Sequence, residues 1–471
     1  MRLYDTRSRG VEKIIPTRPG HLTIYSCGPT VYRDAHVGNI RTFLLADLIT
    51  RLAHLHGLTT TTVQNITDVG HMVDDTGLGG IDEGQGDGED RILQQASTEG
   101  TGALAIARKY EAAFHADLSA VNIHPADHYP RASESIPEMI ELIQTLLDDG
   151  HAYIGGDGSV FFDARSFADY GAISGNKLDE LRPGHRTDEK VDDAKRFHAD
   201  WALWKKAPDT RTQLVWETPW GVGFPGWHTE CSAMSLKLLG TSIDVHTGGI
   251  DLRFPHHEDE RAQSNSATGR DVVRHWVHAE HLLFDGRKMS KSAGNVVLVA
   301  DVIARGIDPL ALRLAFLQHR YRQQMNLTWQ VIEGAATTLA RWRTKVAEWA
   351  THPSAPIPED YRLQFLAAAD EDLDTPRALQ VVRAVERDDD LAPGARFEFF
   401  AWADRLLGLD LVRDVGKTPT SAEIPDVAAA LLDERAAARA EKDFATSDRL
   451  RDELAALGFT VRDTPDGQVL D

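Results

Sequence analysis

Hydrophobic and polar positions near the start of the chain fall into a simple order. Residues 21–27 (HLTIYSC) form a short apolar run that predicts a strand. A loop with Gly and Pro follows (CGPTVYRDAHVGN). Residues 40–55 (IRTFLLADLITRLAHL) then place apolar side chains at helical spacing, with Gly57 as the stop. TTTTVQN at 59–65 is β-branched and predicts a second strand. Strand, loop, helix, strand is the βαβ unit of an open parallel sheet, so the expected fold class is α/β. Ligands of such sheets sit beyond the carboxyl ends of the strands, where this loop lies.

The pattern changes further along. Residues 74–90 (DDTGLGGIDEGQGDGED) are acidic and Gly-rich, do not match the calcium-loop spacing, and read as a solvated surface loop. Residues 100–150 are helical in pattern, most clearly in PRASESIPEMIELIQTLLDDG. Scattered Gly, Pro and Trp over 151–225 predict short strands and loops. Helical patterns return over 308–350 and 359–410, separated by THPSAPIP at 351–358. After a second linker at 415–425, the tail reads as one charged amphipathic helix ending at Gly458, followed by an extended piece. There are no internal repeats.

Composition narrows the classes. The length of 471 residues corresponds to roughly three domains at ~100–200 residues each. A net charge of −21 excludes a protein that mainly coats nucleic acid, though a local basic patch can still bind phosphates. One candidate patch is Arg313, Arg320, Arg322, Arg341, Arg343 and Lys345, interleaved with Trp329, Trp342 and Trp349. The tryptophans fit core positions better than base-stacking platforms, and the basic residues fit a phosphate stripe or a solvated face equally. The segment MRLYDTRSRG has no apolar core of a secretory signal, and no run of about 18 apolar residues predicts a membrane span. Two cysteines cannot form a disulfide scaffold, so a reducing cytoplasm is the expected compartment.

Three groups of residues carry chemistry. Cys27 follows the first strand, Cys231 lies in GWHTECSAMS, and PHHEDE occupies 255–260. His256 and Glu260 are four apart, which places both on one face of a helix. Two thiolates, an imidazole and a carboxylate make a four-coordinate zinc set. The alternative is two small buried cysteines and a solvated polar helix start. The second group, H-V-G-N at 36–39, precedes a helix, whose N-terminus favours an anion. The third, K-M-S-K-S at 288–292, puts two ammonium groups where they can neutralise a pyrophosphate leaving group.

The blocks YSCGPTVYRDAHVGNIRTFLLADLI, VQNITDVGH, GFPGWHTECSAMS, DVHTGGIDLRFPHHEDERAQS and KMSKSAGN, with DPLALRL after them, strongly resemble the cysteinyl-tRNA synthetases, a class I aminoacyl-tRNA synthetase family. The resemblance covers nearly the whole chain. It implies a Rossmann-like catalytic domain over 1–307 with an insertion around 120–225. A helical stem-contact and tRNA-binding domain over 308–414 and a small C-terminal module over 415–471 would follow. It maps zinc ligands onto Cys27, Cys231, His256 and Glu260. ATP signatures map onto His36, Gly38 and Asn39, and onto Lys288, Met289, Ser290, Lys291 and Ser292. Thr67, Trp227 and His246 would line the amino-acid pocket, and Thr30, Gly249 and Asp251 would contact the aminoacyl-adenylate.

The implied reaction is activation of L-cysteine by ATP, with Mg²⁺ assisting, and transfer to the 3′ end of tRNA(Cys). His36 and Asn39 would hold phosphate oxygens, and Lys288 and Lys291 would stabilise the transition state. Zinc would select a thiolate over the hydroxyl of serine. A monomer without membrane association is expected. Asn39 stands where the family motif usually ends in His, and the Gly/Asp-rich insertion is unusual, which suggests a divergent or second copy. The alternatives are a ligase that hands cysteine to a small-molecule amine and a non-catalytic tRNA-binding paralogue. The long C-terminal region and the complete motifs argue against both.

Overall fold

A computed structural model of the chain describes residues 1–70, 90–181, 194–289, 294–417, 426–456, 461–464 and 467–470. The acidic Gly-rich loop, apart from Asp90, lies outside them, as do Ser290, Lys291, Ser292 and most of the 415–425 linker. Two compact units emerge, Met1–Arg413 and Asp414–Asp471.

The first unit is built on the βαβ unit read from the sequence. Strands His21–Ser26 and Thr59–Gln64 pair in parallel, joined through helix Val37–Leu55. Strands Ile243–Gly249 and Val273–Ala279 extend the sheet on the other side, also in parallel. The chain therefore runs outward from His21–Ser26 in one direction and from Ile243–Gly249 in the other. The crevice between their carboxyl ends is the topological switch point, where open α/β sheets bind ligands. Cys27 and Gly249 stand at that crevice.

The sequence pattern did not mark Ile243–Gly249 as a strand. All seven of its residues are buried, yet IDVHTGG neither alternates nor forms an apolar run. The Asp244 carboxylate accepts the amides of Thr17 at 2.7 Å and Thr23 at 2.9 Å, which ties neighbouring chain to the sheet.

Between the two halves lie helices Ala103–Ala120 and Ile136–Asp148 and an antiparallel five-stranded sheet assembled from 152–225. Short strands were expected there. Beyond the parallel sheet, the helical pattern at 308–350 resolves into helices Leu310–Leu317 and Trp329–Trp349 with strand Met325–Leu327 between them. Residues 359–410 hold three helices, Glu359–Asp370, Thr375–Arg387 and Pro393–Leu407.

Three expectations are corrected. The first helix begins at Val37, not Ile40, because His36 and Asn39 cap it reciprocally. The His36 ring accepts the Asn39 amide at 3.2 Å, and Asn39 Oδ1 accepts the His36 amide at 3.1 Å. The tail is two helices, Asp426–Ala440 and Phe444–Ala456, followed by the hairpin Val461–Thr464 and Gly467–Leu470. The break comes at Lys442, which takes a positive φ of 64°, and at Asp443, whose carboxylate accepts the Thr446 amide at 3.1 Å. The basic residues of 313–345 do not form one continuous exposed stripe, because two are buried and all six are paired with carboxylates. Arg313 and Arg343 are buried, bonded to Asp47 and Asp308. Arg320 pairs with Asp374, Arg322 with Asp372, and both Arg341 and Lys345 with Glu386. Trp342 and Trp349 are core residues, as expected. Among the described residues, no helix is long and apolar enough to cross a membrane.

Candidate active site

Cys27 owes its position to the residue after it. A Cβ on Gly28 would lie 1.6 Å from the Asn65 carbonyl, so only glycine lets the two strand-end loops touch. The Gly28 amide donates to Asn65 Oδ1 at 2.8 Å and fixes the contact. Cys231 sits on helix Trp227–Leu239, and His256 and Glu260 share one face of the first turns of helix His256–Thr268. Tertiary folding brings all four together. The two Sγ atoms are 4.0 Å apart, Cys27 Sγ is 3.5 Å from Glu260 Oε1, and His256 Nε2 is 3.0 Å from the same oxygen. All four residues are buried and their ligand atoms lie within 4.8 Å of one another.

The electrostatics of the cluster favour a cation. Burial opposes the Glu260 carboxylate, but His246 and His256 hold it below its ordinary value. Burial opposes ionisation of Cys231 too, yet the hydrogen bond with Cys27 and the charge of His256 bring it down to about 7. His256 pays the same burial cost and is still raised to about 10, through Glu260 and Cys231. A proton on His256 thus compensates two anionic groups, which is the task of a bound metal.

A second set, Cys27, His246, His257 and Glu260, meets the same distance limit. In it, His257 turns Nε2 toward Cys27 Sγ at 3.2 Å, while its Nδ1 is held 2.8 Å from His278 Nε2. Only the first set offers two sulfurs, the donors a thiophilic metal prefers.

Of the expected pocket residues, Trp227 and His246 pack against this cluster, and of the three Trp227 lines the open cleft, while Thr67 lies behind it against Glu230. The Trp227 ring packs 4.3 Å from that of His256, and His246 stacks on Trp276 at 4.6 Å with its Nε2 3.4 Å from Cys27 Sγ. Thr67 is fully buried. Its hydroxyl donates to Glu230 Oε2 at 3.0 Å, and its backbone bridges to Thr30. Glu230 escaped the sequence reading, where only its position beside Cys231 could have marked it. Burial, then Cys231, push its carboxyl well above the ordinary range.

An open cleft runs from Cys27 and Trp227 past Thr30, Gly249 and Asp251 to His36 and Asn39. A Cβ on Gly249 would come within 2.3 Å of Asp251 Oδ1, so the glycine makes space for that carboxylate. A smaller adjoining cleft is lined by His36, Gly38, Asn39, Asp251, Lys288 and Met289, which brings the H-V-G-N segment beside the start of K-M-S-K-S.

The local chain explains both motifs. Since the His36 Nδ1 accepts the Asn39 amide, the neutral ring carries its proton on Nε2. Burial, then Arg33, lower its pKa to about 4, so the ring is a neutral donor at pH 7. Lys288 is presented by a hairpin. Strands Leu282–Phe284 and Arg287–Lys288 are joined by Asp285 and Gly286, both with positive φ, as a two-residue turn requires. Ser290, Lys291 and Ser292 lie outside the described residues, and Lys288 and Met289 are the described residues of that motif at the site.

Comparison with known proteins agrees with this geometry. A family model described as the tRNA synthetases class I (C) catalytic domain matches residues 13–76 and 84–337. One described as the cysteinyl-tRNA ligase anticodon binding domain matches residues 421–469. A cysteine–tRNA ligase of Burkholderia lata is 41% identical over 471 residues, covering 99% of this chain and 96% of that protein. A cysteine–tRNA ligase of Thermus thermophilus is 40% identical, covering 99% and 98%. In fold, the chain is similar to Mycobacterium tuberculosis methionyl-tRNA synthetase bound to methionyl-adenylate, with a TM-score of 0.55 at 15% identity over 83% of this chain and 90% of that one. It is also similar to an Agrobacterium radiobacter leucyl-tRNA synthetase in complex with tRNA, with a TM-score of 0.58 at 10% identity over 84% of each. Matches of this extent, over a crevice that brings paired thiols to one end and His36 and Asn39 to the other, show that the chain belongs to the cysteinyl-tRNA synthetase family of class I aminoacyl-tRNA synthetases.

Proposed function

We propose that this chain activates L-cysteine with ATP and transfers it to the 3′ end of tRNA(Cys). The observation that carries the reading is the single cleft that links Cys27 and Trp227 to His36 and Asn39, in a chain about 40% identical to cysteine–tRNA ligases over its full length.

Cys27, Cys231, His256 and Glu260 would hold zinc. When bound, zinc supplies a soft acceptor that favours a thiolate sulfur over a hydroxyl oxygen. Trp227, His246 and Thr67 shape the amino-acid end of the cleft, and Thr30, Gly249 and Asp251 its adenylate side. The cysteine carboxylate is already ionised and needs no general base. The bond formed joins its oxygen to the α-phosphorus of ATP, and the bond broken releases pyrophosphate, whose charge Mg²⁺ would share. Catalysis is therefore placement and charge stabilisation. His36 would donate from Nε2, Asn39 from its side-chain Nδ2 and Lys288 from its ammonium, with Lys291 as the second cation of the motif. Met289, Ser290, Ser292 and Gly38 complete the nucleotide-binding surface.

Residues 308–414 are assigned to stem contact and 415–471 to the anticodon, the latter supported by the match at 421–469. We assign the chain to the cytoplasm as a monomer.

Cysteine-dependent ATP–pyrophosphate exchange followed by cysteine transfer to tRNA(Cys) tests the reading. Both reactions are expected. Exchange without transfer would point to a small-molecule acceptor, and neither reaction to a non-catalytic paralogue. Gly38 gives a finer check. A Cβ there would meet Met289 Cε at 2.9 Å and His36 Cε1 at 3.0 Å. Gly38→Ala is expected to lower kcat/KM for ATP in exchange by about ten-fold, as misplacement of reacting groups by a fraction of an ångström does. Unchanged ATP kinetics would dissociate Gly38 from the nucleotide site.

A further inference from the structure

Arg41 lies on the helix that starts at His36, just after Asn39, and is 4% exposed. Its guanidinium does not line the cleft. Its hydrogen bonds run to main-chain carbonyls of two other segments. Nη1 donates to Glu280 O at 2.6 Å, and Nη2 donates to Arg320 O at 2.9 Å and Gln323 O at 2.8 Å, with Tyr321 O at 3.3 Å.

Those carbonyls are the roots of two strands. Glu280 leads into Leu282–Phe284, and residues 320–323 lead into Met325–Leu327. These strands pair in parallel, and Arg287–Lys288 completes a three-stranded sheet on the free edge of Leu282–Phe284. The sheet therefore carries Lys288 and Met289, while the helix carries His36, Gly38 and Asn39. The two surfaces approach closely at Gly38 and Met289, where a Cβ added to the glycine would lie 2.9 Å from Met289 Cε.

We propose that Arg41 is the pin that sets the spacing between the two phosphate-binding motifs, and hence a positioning residue for ATP. The inference rests on the reading of the cleft as an ATP site. The chemistry explains the residue type. A buried cation is costly unless each proton finds an acceptor. A planar guanidinium can span acceptors from two separate loops, whereas an ammonium is a point charge with three donors on a flexible stem. Charge alone does not account for the site, because the fork geometry is what joins residue 280 to residues 320–323.

Arg41→Lys keeps the charge and loses the fork, so it separates the two roles. Expected is a fall of about 100-fold in kcat/KM for ATP in cysteine-dependent pyrophosphate exchange, the scale of a small misplacement. The KM for cysteine should stay within about two-fold, because that end of the cleft is built by other elements. Arg41→Gln retains a planar amide with two donors and should recover part of the loss. It also serves if the lysine variant does not fold, circular dichroism deciding which variants enter the comparison. Wild-type ATP kinetics in either folded variant would overturn the proposal. So would a rise of both Michaelis constants together, which marks general loosening. Absence of exchange in the unsubstituted chain would instead overturn the reading of the cleft.

Discussion

Cys27→Ser is expected to lose stoichiometric zinc and to lower kcat/KM for cysteine at least about 1,000-fold, a loss of about 4 kcal/mol in transition-state stabilisation. The substitution changes one buried atom. Serine fits the space but offers a hydroxyl that does not ionise near neutral pH, in place of a soft thiolate. Its neighbours show why the effect is large. Cys27 Sγ contacts Cys231 Sγ, His257 Nε2 and Glu260 Oε1, so it stands at the centre of the cluster. The KM for ATP should change little, because His36, Asn39 and Lys288 lie at the other end of the cleft. Metal analysis of the purified variant beside exchange kinetics checks both halves. Normal zinc content with normal cysteine kinetics would remove the metal from the account of this site.

Arg313→Met is expected to destabilise the first unit by about 3–5 kcal/mol, because Asp47 loses one of its two buried cationic partners and the carbonyls of Leu407 and Asn122 lose their donor. Arg313 is fully buried. It donates to Asp47 Oδ2 at 2.6 Å, to Leu407 O at 2.5 Å and to Asn122 O at 2.8 Å. Asp47 also accepts Arg51 Nε at 2.8 Å and the His124 amide at 3.0 Å. One guanidinium thus joins the first helix of the parallel sheet, the turn at 121–124 and the end of helix Pro393–Leu407. Urea unfolding measures the loss. Lys177→Met, which removes an exposed pair with Glu180, should cost less than about 0.5 kcal/mol in the same assay. Equal shifts in the two variants would show that the buried hub carries no special weight.

The same hub has a signature in pH. Burial raises the Asp47 pKa, but Arg313 and then Arg51 outweigh it, so the folded value lies below the ordinary 3.8. As pH falls, the unfolded chain takes up this proton first. The stabilisation is therefore complete above about pH 5 and is lost progressively as pH drops through about 4 toward the lower folded value. With Arg313 gone, the largest of the opposing effects is removed while Arg51 and the His124 amide remain, so the Asp47 contribution to the acid limb of stability shrinks.

Much of this molecule could be read along the chain, for local reasons. HLTIYS, the stripe at 40–55 and TTTTVQ carry period and propensity within themselves, and each forms the element its pattern predicts. His256 and Glu260 are four residues apart, and helical geometry alone aligns them. Their union with Cys27 and Cys231 has no local signature, and without a resemblance to a known family those residues admitted a plain structural reading. The strand Ile243–Gly249 stayed hidden because burial of Asp244, His246 and Thr247 reverses the usual link between polarity and exposure. The arginines of 313–345 misled for the opposite reason. Charge in a sequence suggests solvent, but their carboxylate partners come from segments that only folding brings near. Sequence by itself determined the helices and strands with regular spacing, the chemical inventory and the family. Tertiary structure decided which thiols meet, which charges are neutralised and how far apart the two phosphate motifs stand, because those are distances between residues whose separation along the chain exerts no constraint.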